Sequence, residues 1–162
     1  PWLQYGNVLH LSFTFTNLPP LYNVLAAPLQ FLLFLAKKNG VAIDRREIAG
    51  GELNSTNNQM ELRAAIEALK ALKRQTEITL ITDSVYVKKG ILEWVPNWKK
   101  NNWKTSTKKP VKNRDLWQEL DTLVSANIVT WKWVKGHSGI LENERADTLA
   151  TDEVKKIKNN QR

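Results

Sequence analysis

The chain has 162 residues, 42% hydrophobic and 25% charged, the composition of one ordinary globular domain with its own core. It has no cysteine, which excludes disulfides and thiolate metal sites. A formal net charge of +8, from 24 Lys and Arg against 16 Asp and Glu, points to a polyanionic partner, and nucleic acid fits better than a membrane surface.

The charge is unevenly placed. Residues 1–36 carry no Asp, Glu, Lys or Arg, so the whole excess lies in 37–162. Leu9, Leu11, Phe13 and Phe15 alternate with His10, Ser12, Thr14 and Thr16. That period of two predicts a half-buried strand, ended by Pro19-Pro20. Val24 to Ala36 is almost wholly apolar, yet falls short of the roughly 20 residues that a membrane-spanning helix needs. No basic region precedes it, against a signal peptide, and Phe31–Ala36 reads as a buried strand or hairpin. Asn39-Gly40 is a hairpin turn signal, which makes Arg45–Glu52 a third strand.

Thr56 or Asn57 can cap the next helix, whose apolar stripe is Leu62, Ile66, Leu69 and Leu72. Glu77–Thr82, rich in β-branched residues, reads as a strand. Ser84–Trp94 reads as a helix interrupted near Gly90. Asp115–Ala126 is an amphipathic helix, Ile128–Val134 a strand and Glu142–Lys158 a closing helix. The order β-β-β-α-β-α-α-β-α predicts a mixed sheet with helices, an α/β fold.

Three stretches carry the chemistry. Asn57-Asn58-Gln59-Met60-Glu61-Leu62 opens a helix, and Ile81-Thr82-Asp83-Ser84 ends a strand. Gly136-His137-Ser138-Gly139, followed by Glu142-Asn143-Glu144-Arg145-Ala146-Asp147, joins a strand to a helix. Hydrolysing a phosphodiester takes an activated water and a stabilised leaving oxygen, which two divalent ions about 4 Å apart can provide. Magnesium prefers hard oxygen ligands, so such sites are built from carboxylates. Asp83 stands at the carboxyl end of a strand, where α/β sheets place ligands. Taken singly, Asp83 could cap the following helix, Glu61 could serve a first-turn dipole and Asp147 could be surface charge.

From about Gly50 to Ala150 these stretches resemble type 1 ribonuclease H, of the bacterial type with a basic handle, which cuts the RNA strand of an RNA–DNA hybrid. The resemblance implies a ribonuclease H-like α/β fold, a mixed five-stranded sheet with helices on both faces. It implies Mg²⁺ as cofactor, with Mn²⁺ as a substitute. Glu61 would bridge two ions, Asp83 hold one and Asp147 the other, while His137 helps move protons or release product. Cleavage would leave 3′-hydroxyl and 5′-phosphate ends.

The family's first catalytic aspartate, in an Asp-Gly pair on the first strand, has no counterpart here. The nearest match is Phe15-Thr16-Asn17-Leu18, with Asn17 where the aspartate belongs. The chain thus divides into an uncharged segment, 1–36, replacing the usual first strand and glycine-rich loop, and a ribonuclease H-like domain, 37–162. A frameshifted or mis-joined gene start would account for both the missing motif and the change of charge. Two functions stay open: hybrid cleavage, and hybrid binding with impaired or absent catalysis.

The run Trp94-Val95-Pro96-Asn97-Trp98-Lys99-Lys100-Asn101-Asn102-Trp103-Lys104 continues to Lys108-Lys109-Pro110-Val111-Lys112-Asn113 and looks like the family's basic handle. Lysines neutralise phosphates, and tryptophan faces pack on sugars or bases. Trp94, Lys99, Lys100, Trp103 and Lys104 are expected to contact the DNA strand. Thr56, Asn57, Asn58 and Asn113 are expected at phosphates and 2′-hydroxyls, which a hybrid displays in its wide minor groove. Trp117 and Trp131 are expected in the core. Val85 stands two positions past Asp83, where related sequences often carry a polar residue. The expected partner is an RNA–DNA hybrid, met by a cytoplasmic monomer that touches no membrane.

Overall fold

The computed structural model describes the backbone of Leu9–Phe15, Leu29–Lys38 and Val41–Gly51, and backbone with side chains for residues 55–72, 75, 77–135, 145 and 148. The helix expected over 142–158 lies outside the described residues, except Arg145 and Thr148, which are helical.

Five described strands are β1 (Leu9–Phe15), β2 (Leu29–Lys38), β3 (Val41–Gly51), β4 (Glu77–Thr82) and β5 (Ile128–Trp133), in the order β3-β2-β1-β4-β5. β1 and β2 pair antiparallel, as do β2 and β3. β1 runs parallel to β4, and β4 to β5, so the sheet is mixed as expected. Parallel neighbours need a long crossover, which the helices between them supply. The change from uncharged to charged sequence falls inside β2, at the register shift between Ala36 and Lys37.

Helix α1 (Asn57–Lys70) starts at Thr56. The Thr56 hydroxyl accepts from the Gln59 amide, and the Gln59 side chain accepts from the Thr56 amide, a capping box that satisfies two otherwise unpaired donors. The helix buries Met60, Leu62, Ala64, Ala65, Ile66, Ala68 and Leu69, and packs against α4 (Arg114–Ser125), β1 and β2. Leu72, the fourth member of the expected stripe, is half-buried against this core.

After β4 the chain forms α2 (Val85–Lys89), a wider π-turn (Gly90–Trp94) and α3 (Val95–Lys100). The expected interruption at Gly90 is this change of helical pitch. The glycine itself has a spatial reason. A Cβ at Gly90 would sit 1.8 Å from Cη2 of Trp117, so only glycine lets the helix pass the buried indole. Pro96, in the first turn of α3, has no N–H to give, and the π-turn just before it closes with the Val95 amide donating to the Gly90 carbonyl.

Trp117 is fully buried, as expected, beside Ile78 and Leu80 of β4, Val87, Val95, Val111 and Leu120. Trp131 is half-buried against the same cluster and stacks on Trp133, centroids 6.1 Å apart and planes at 11°. Among the described residues, no helix is long and apolar enough to cross a membrane.

Candidate active site

The parallel register pairs Phe13 with Thr82 and Thr82 with Trp133. The carboxyl ends of β1, β4 and β5 therefore share one edge of the sheet. Asp83 follows directly on β4 at that edge and is half-buried. Beyond β5 the Val134 amide donates to the Thr82 carbonyl at 3.1 Å, which keeps the outgoing chain beside Asp83. Asn17, two residues past the end of β1, and His137 and Asp147 lie outside the described residues.

Glu61 reaches this edge from α1. It lies in the helix's second turn, not its first, so a first-turn dipole role does not apply. Ser84 Oγ donates to Glu61 Oε2 at 2.5 Å. Burial raises the pKa of Glu61, the Ser84 hydrogen bond lowers it and the nearby charge of Asp83 raises it; the net effect holds the carboxyl above its ordinary value. Two half-buried carboxylates close enough to repel, presenting only oxygen donors, suit a hard divalent cation. Among the described residues, no group of three or more His, Asp or Glu gathers around one point.

Asp83 is not the cap of the following helix; Ser84 is, accepting from the Val87 amide at 3.0 Å. Ser84 also donates its own amide to Thr82 Oγ1 at 3.1 Å. Thr82 and Ser84 are the two buried polar residues of the described core, 1% and 5% exposed. Sequence alone assigns neither of them a role of its own. A serine at a strand–helix junction is a capping signal by itself, but its bond to Glu61 spans 23 positions and leaves no local trace.

The basic run folds as an aromatic-backed surface. Tyr86, Trp94, Trp98 and Trp117 lie with ring centroids 5.4–6.4 Å apart, and Trp103 leans on Trp98 at 6.4 Å. Trp94 and Trp103 are half-buried, one side against the core and part of each in solvent. Lys100, Lys104, Lys108, Lys109 and Lys112 are exposed. Lys99 differs: its Nζ lies 3.0 Å and 2.9 Å from the two carboxylate oxygens of Asp121 on α4.

Asn113 adopts a left-handed backbone, φ 57°, just before α4. Its Nδ2 donates to the Tyr86 hydroxyl at 3.1 Å, as does Trp117 Nε1. Thr56 has its hydroxyl in the capping box, while Asn57 is exposed and Asn58 half-buried beside it.

The sequence profile of the RNase H family matches residues 34–155, beginning after Asn17. A ribonuclease H of Hydrogenovibrio crunogenus is 62% identical over 112 residues, covering 69% of this chain and 77% of the relative. One of Cupriavidus pinatubonensis is 61% identical over 107 residues, covering 66% and 74%. Among solved structures, LC9-RNase H1, described as a type 1 RNase H with the type 2 active-site motif, superposes with a TM-score of 0.76 at 30% identity, over 93% of this chain and 73% of that one. A foamy viral protease-reverse transcriptase in complex with an RNA/DNA hybrid shares the fold at a TM-score of 0.64 and 19% identity, over 95% of this chain and 20% of that one. The chain belongs to the RNase H family, as an enzyme of the bacterial ribonuclease H type.

Proposed function

We propose that this chain binds RNA–DNA hybrids as a monomer and hydrolyses their RNA strand at the sheet edge formed by Glu61 and Asp83. The observation that carries the reading is the pairing of these two carboxylates at the carboxyl end of β4, both half-buried, in a family whose relatives are named ribonuclease H. Glu61, Asp83 and Asp147 would hold the divalent cations, Mg²⁺ or Mn²⁺. When bound, the ions supply an activated water and charge neutralisation at the leaving oxygen. His137 would handle a proton on the outgoing side. Lys100, Lys104 and the half-buried faces of Trp94 and Trp103 would hold the DNA strand, with Lys99 released from Asp121 on contact. Thr56, Asn57, Asn58 and Asn113 would meet the RNA backbone.

A second reading is favoured by one feature: no Asp or Glu occurs before Asp44. If Asn17 occupies the place of the first aspartate, its amide oxygen can ligate a cation but brings no charge. The metal site is then short of one negative charge, and the chain binds hybrid better than it cuts it.

The test is cleavage of end-labelled hybrid, duplex DNA and single-stranded RNA with Mg²⁺ or Mn²⁺. The expected result is cutting confined to the RNA of the hybrid and lost in Asp83→Asn and Glu61→Gln. Cleavage that survives both substitutions would place the chemistry elsewhere.

A further inference from the structure

We propose that Ser84 is a positioning residue whose hydroxyl orients the Glu61 carboxylate to receive a divalent cation. The inference rests on the reading of Glu61 as a metal ligand.

A glutamate on a helix turns about three side-chain torsions, and an unrestrained carboxylate would meet a cation in many orientations. Here Ser84 Oγ donates to Oε2 at 2.5 Å, the short end of the range for a hydroxyl on a carboxylate. A serine hydroxyl has one proton and two lone pairs. The Val87 amide arrives at Oγ as a donor, 3.0 Å away, so it takes a lone pair and leaves the proton for Glu61. The serine is itself fixed, because its backbone amide donates to the buried Thr82 hydroxyl at 3.1 Å. Asp83 and Ser84 are adjacent, so one turn of chain presents a candidate ligand and grips a second that comes from another helix. Loss of a hydrogen-bond partner that holds a ligating group typically costs about 10–100-fold in metal affinity or activity.

Ser84 also caps α2, and a capping role alone must be separated from positioning. Glycine is tolerated as an N-cap but has no hydroxyl; threonine retains the hydroxyl and the cap. Mn²⁺ affinity is therefore measured by titration calorimetry on the full chain carrying Ser84→Gly or Ser84→Thr, with melting temperature without metal recorded for each.

Ser84→Gly is expected to weaken Mn²⁺ binding by about tenfold or more, while Ser84→Thr binds nearly as the unmodified chain does. Unchanged affinity in Ser84→Gly overturns the proposal, and so does a loss in Ser84→Thr as large as in Ser84→Gly. If the unmodified chain takes up no Mn²⁺, the ligand reading of Glu61 falls and this inference with it. Failure of positioning alone is distinct: the unmodified chain then binds, and the two variants do not separate.

Discussion

Lys99 on α3 and Asp121 on α4 are joined through both carboxylate oxygens, at 3.0 Å and 2.9 Å. An ammonium has three donors; one is given to Asp121 Oδ1, and Oδ2 lies within ion-pair distance. Lys99, though exposed like the lysines around it, thus already has a counter-charge. To serve a phosphate it must leave Asp121 or share its charge. Asp121→Asn is expected to raise hybrid affinity severalfold at low salt and to steepen the salt dependence by about one counterion. Lys99→Ala is expected to cost less affinity than Lys100→Ala or Lys104→Ala. Fluorescence anisotropy with labelled hybrid over a salt series checks both statements. Equal or weaker binding by Asp121→Asn would mean that the ion pair presents Lys99 rather than restrains it.

Gly90 gives a prediction with opposed terms. Alanine is the better helix former by about 1 kcal/mol. Against that, its methyl would enter the Trp117 ring, which is fully buried and boxed in by Tyr86, Trp94 and Trp98. Overpacking of this kind costs roughly 1–3 kcal/mol or more. Gly90→Ala is therefore expected to lower the melting temperature in thermal denaturation. A rise would show that helix propensity outweighs the steric clash.

Lys108 sits at φ 62°, a left-handed conformation that costs a side-chain-bearing residue roughly 1 kcal/mol relative to glycine. It is exposed and closes a loop in which its amide donates to the Thr105 carbonyl at 2.9 Å. Lys108→Gly is expected to stabilise the fold by about that amount in urea denaturation. Lys109→Gly, with no positive φ to relieve, is expected to give no gain.

Much of this architecture was legible because its signals are local. The β-branched run Glu77–Thr82 is β4 to the residue, and of the two capping candidates Thr56 and Asn57 it is Thr56 that starts α1. The alternation from Leu9 to Phe15 marked β1. The unread features join distant residues. Ser84 meets Glu61 across 23 positions, Lys99 meets Asp121 across 22, and Tyr86 collects Asn113 and Trp117 across 27 and 31. No periodicity encodes such contacts, since they depend on how elements dock. Capping is the alternative that sequence leaves open for Asp83, because acids often cap helices; the serine after it takes that place, accepting from the Val87 amide. Asn17, His137 and Asp147 rest on motif alone, outside the described residues.

Glu61 makes the metal-free protein pH-dependent in a defined direction. Burial, opposed by Ser84 and reinforced by Asp83, leaves its folded pKa above the unfolded value of 4.5. The ionised carboxylate therefore costs the folded state stability at neutral pH. The cost is relieved as pH falls through the folded pKa, and vanishes below 4.5, where both states are protonated. With a chelator present, Glu61→Gln is expected to raise the melting temperature at neutral pH, by an amount that shrinks toward acid pH. A lower melting temperature for the variant at neutral pH would mean that the Ser84 bond outweighs burial and repulsion together.

The most direct test of the account is Mg²⁺-dependent hybrid cleavage by the unmodified chain beside Asn17→Asp. If Asn17 stands at the carboxyl end of β1 across from Asp83, the substitution restores the missing negative charge. Both chains are expected to bind hybrid alike, with cleavage rising by roughly tenfold or more in Asn17→Asp, or about 1.4 kcal/mol of barrier. Equal cleavage by the two chains would contradict the reading of Asn17 as the stand-in for the missing aspartate, because Asn17 would then lie away from the site and another group would complete it.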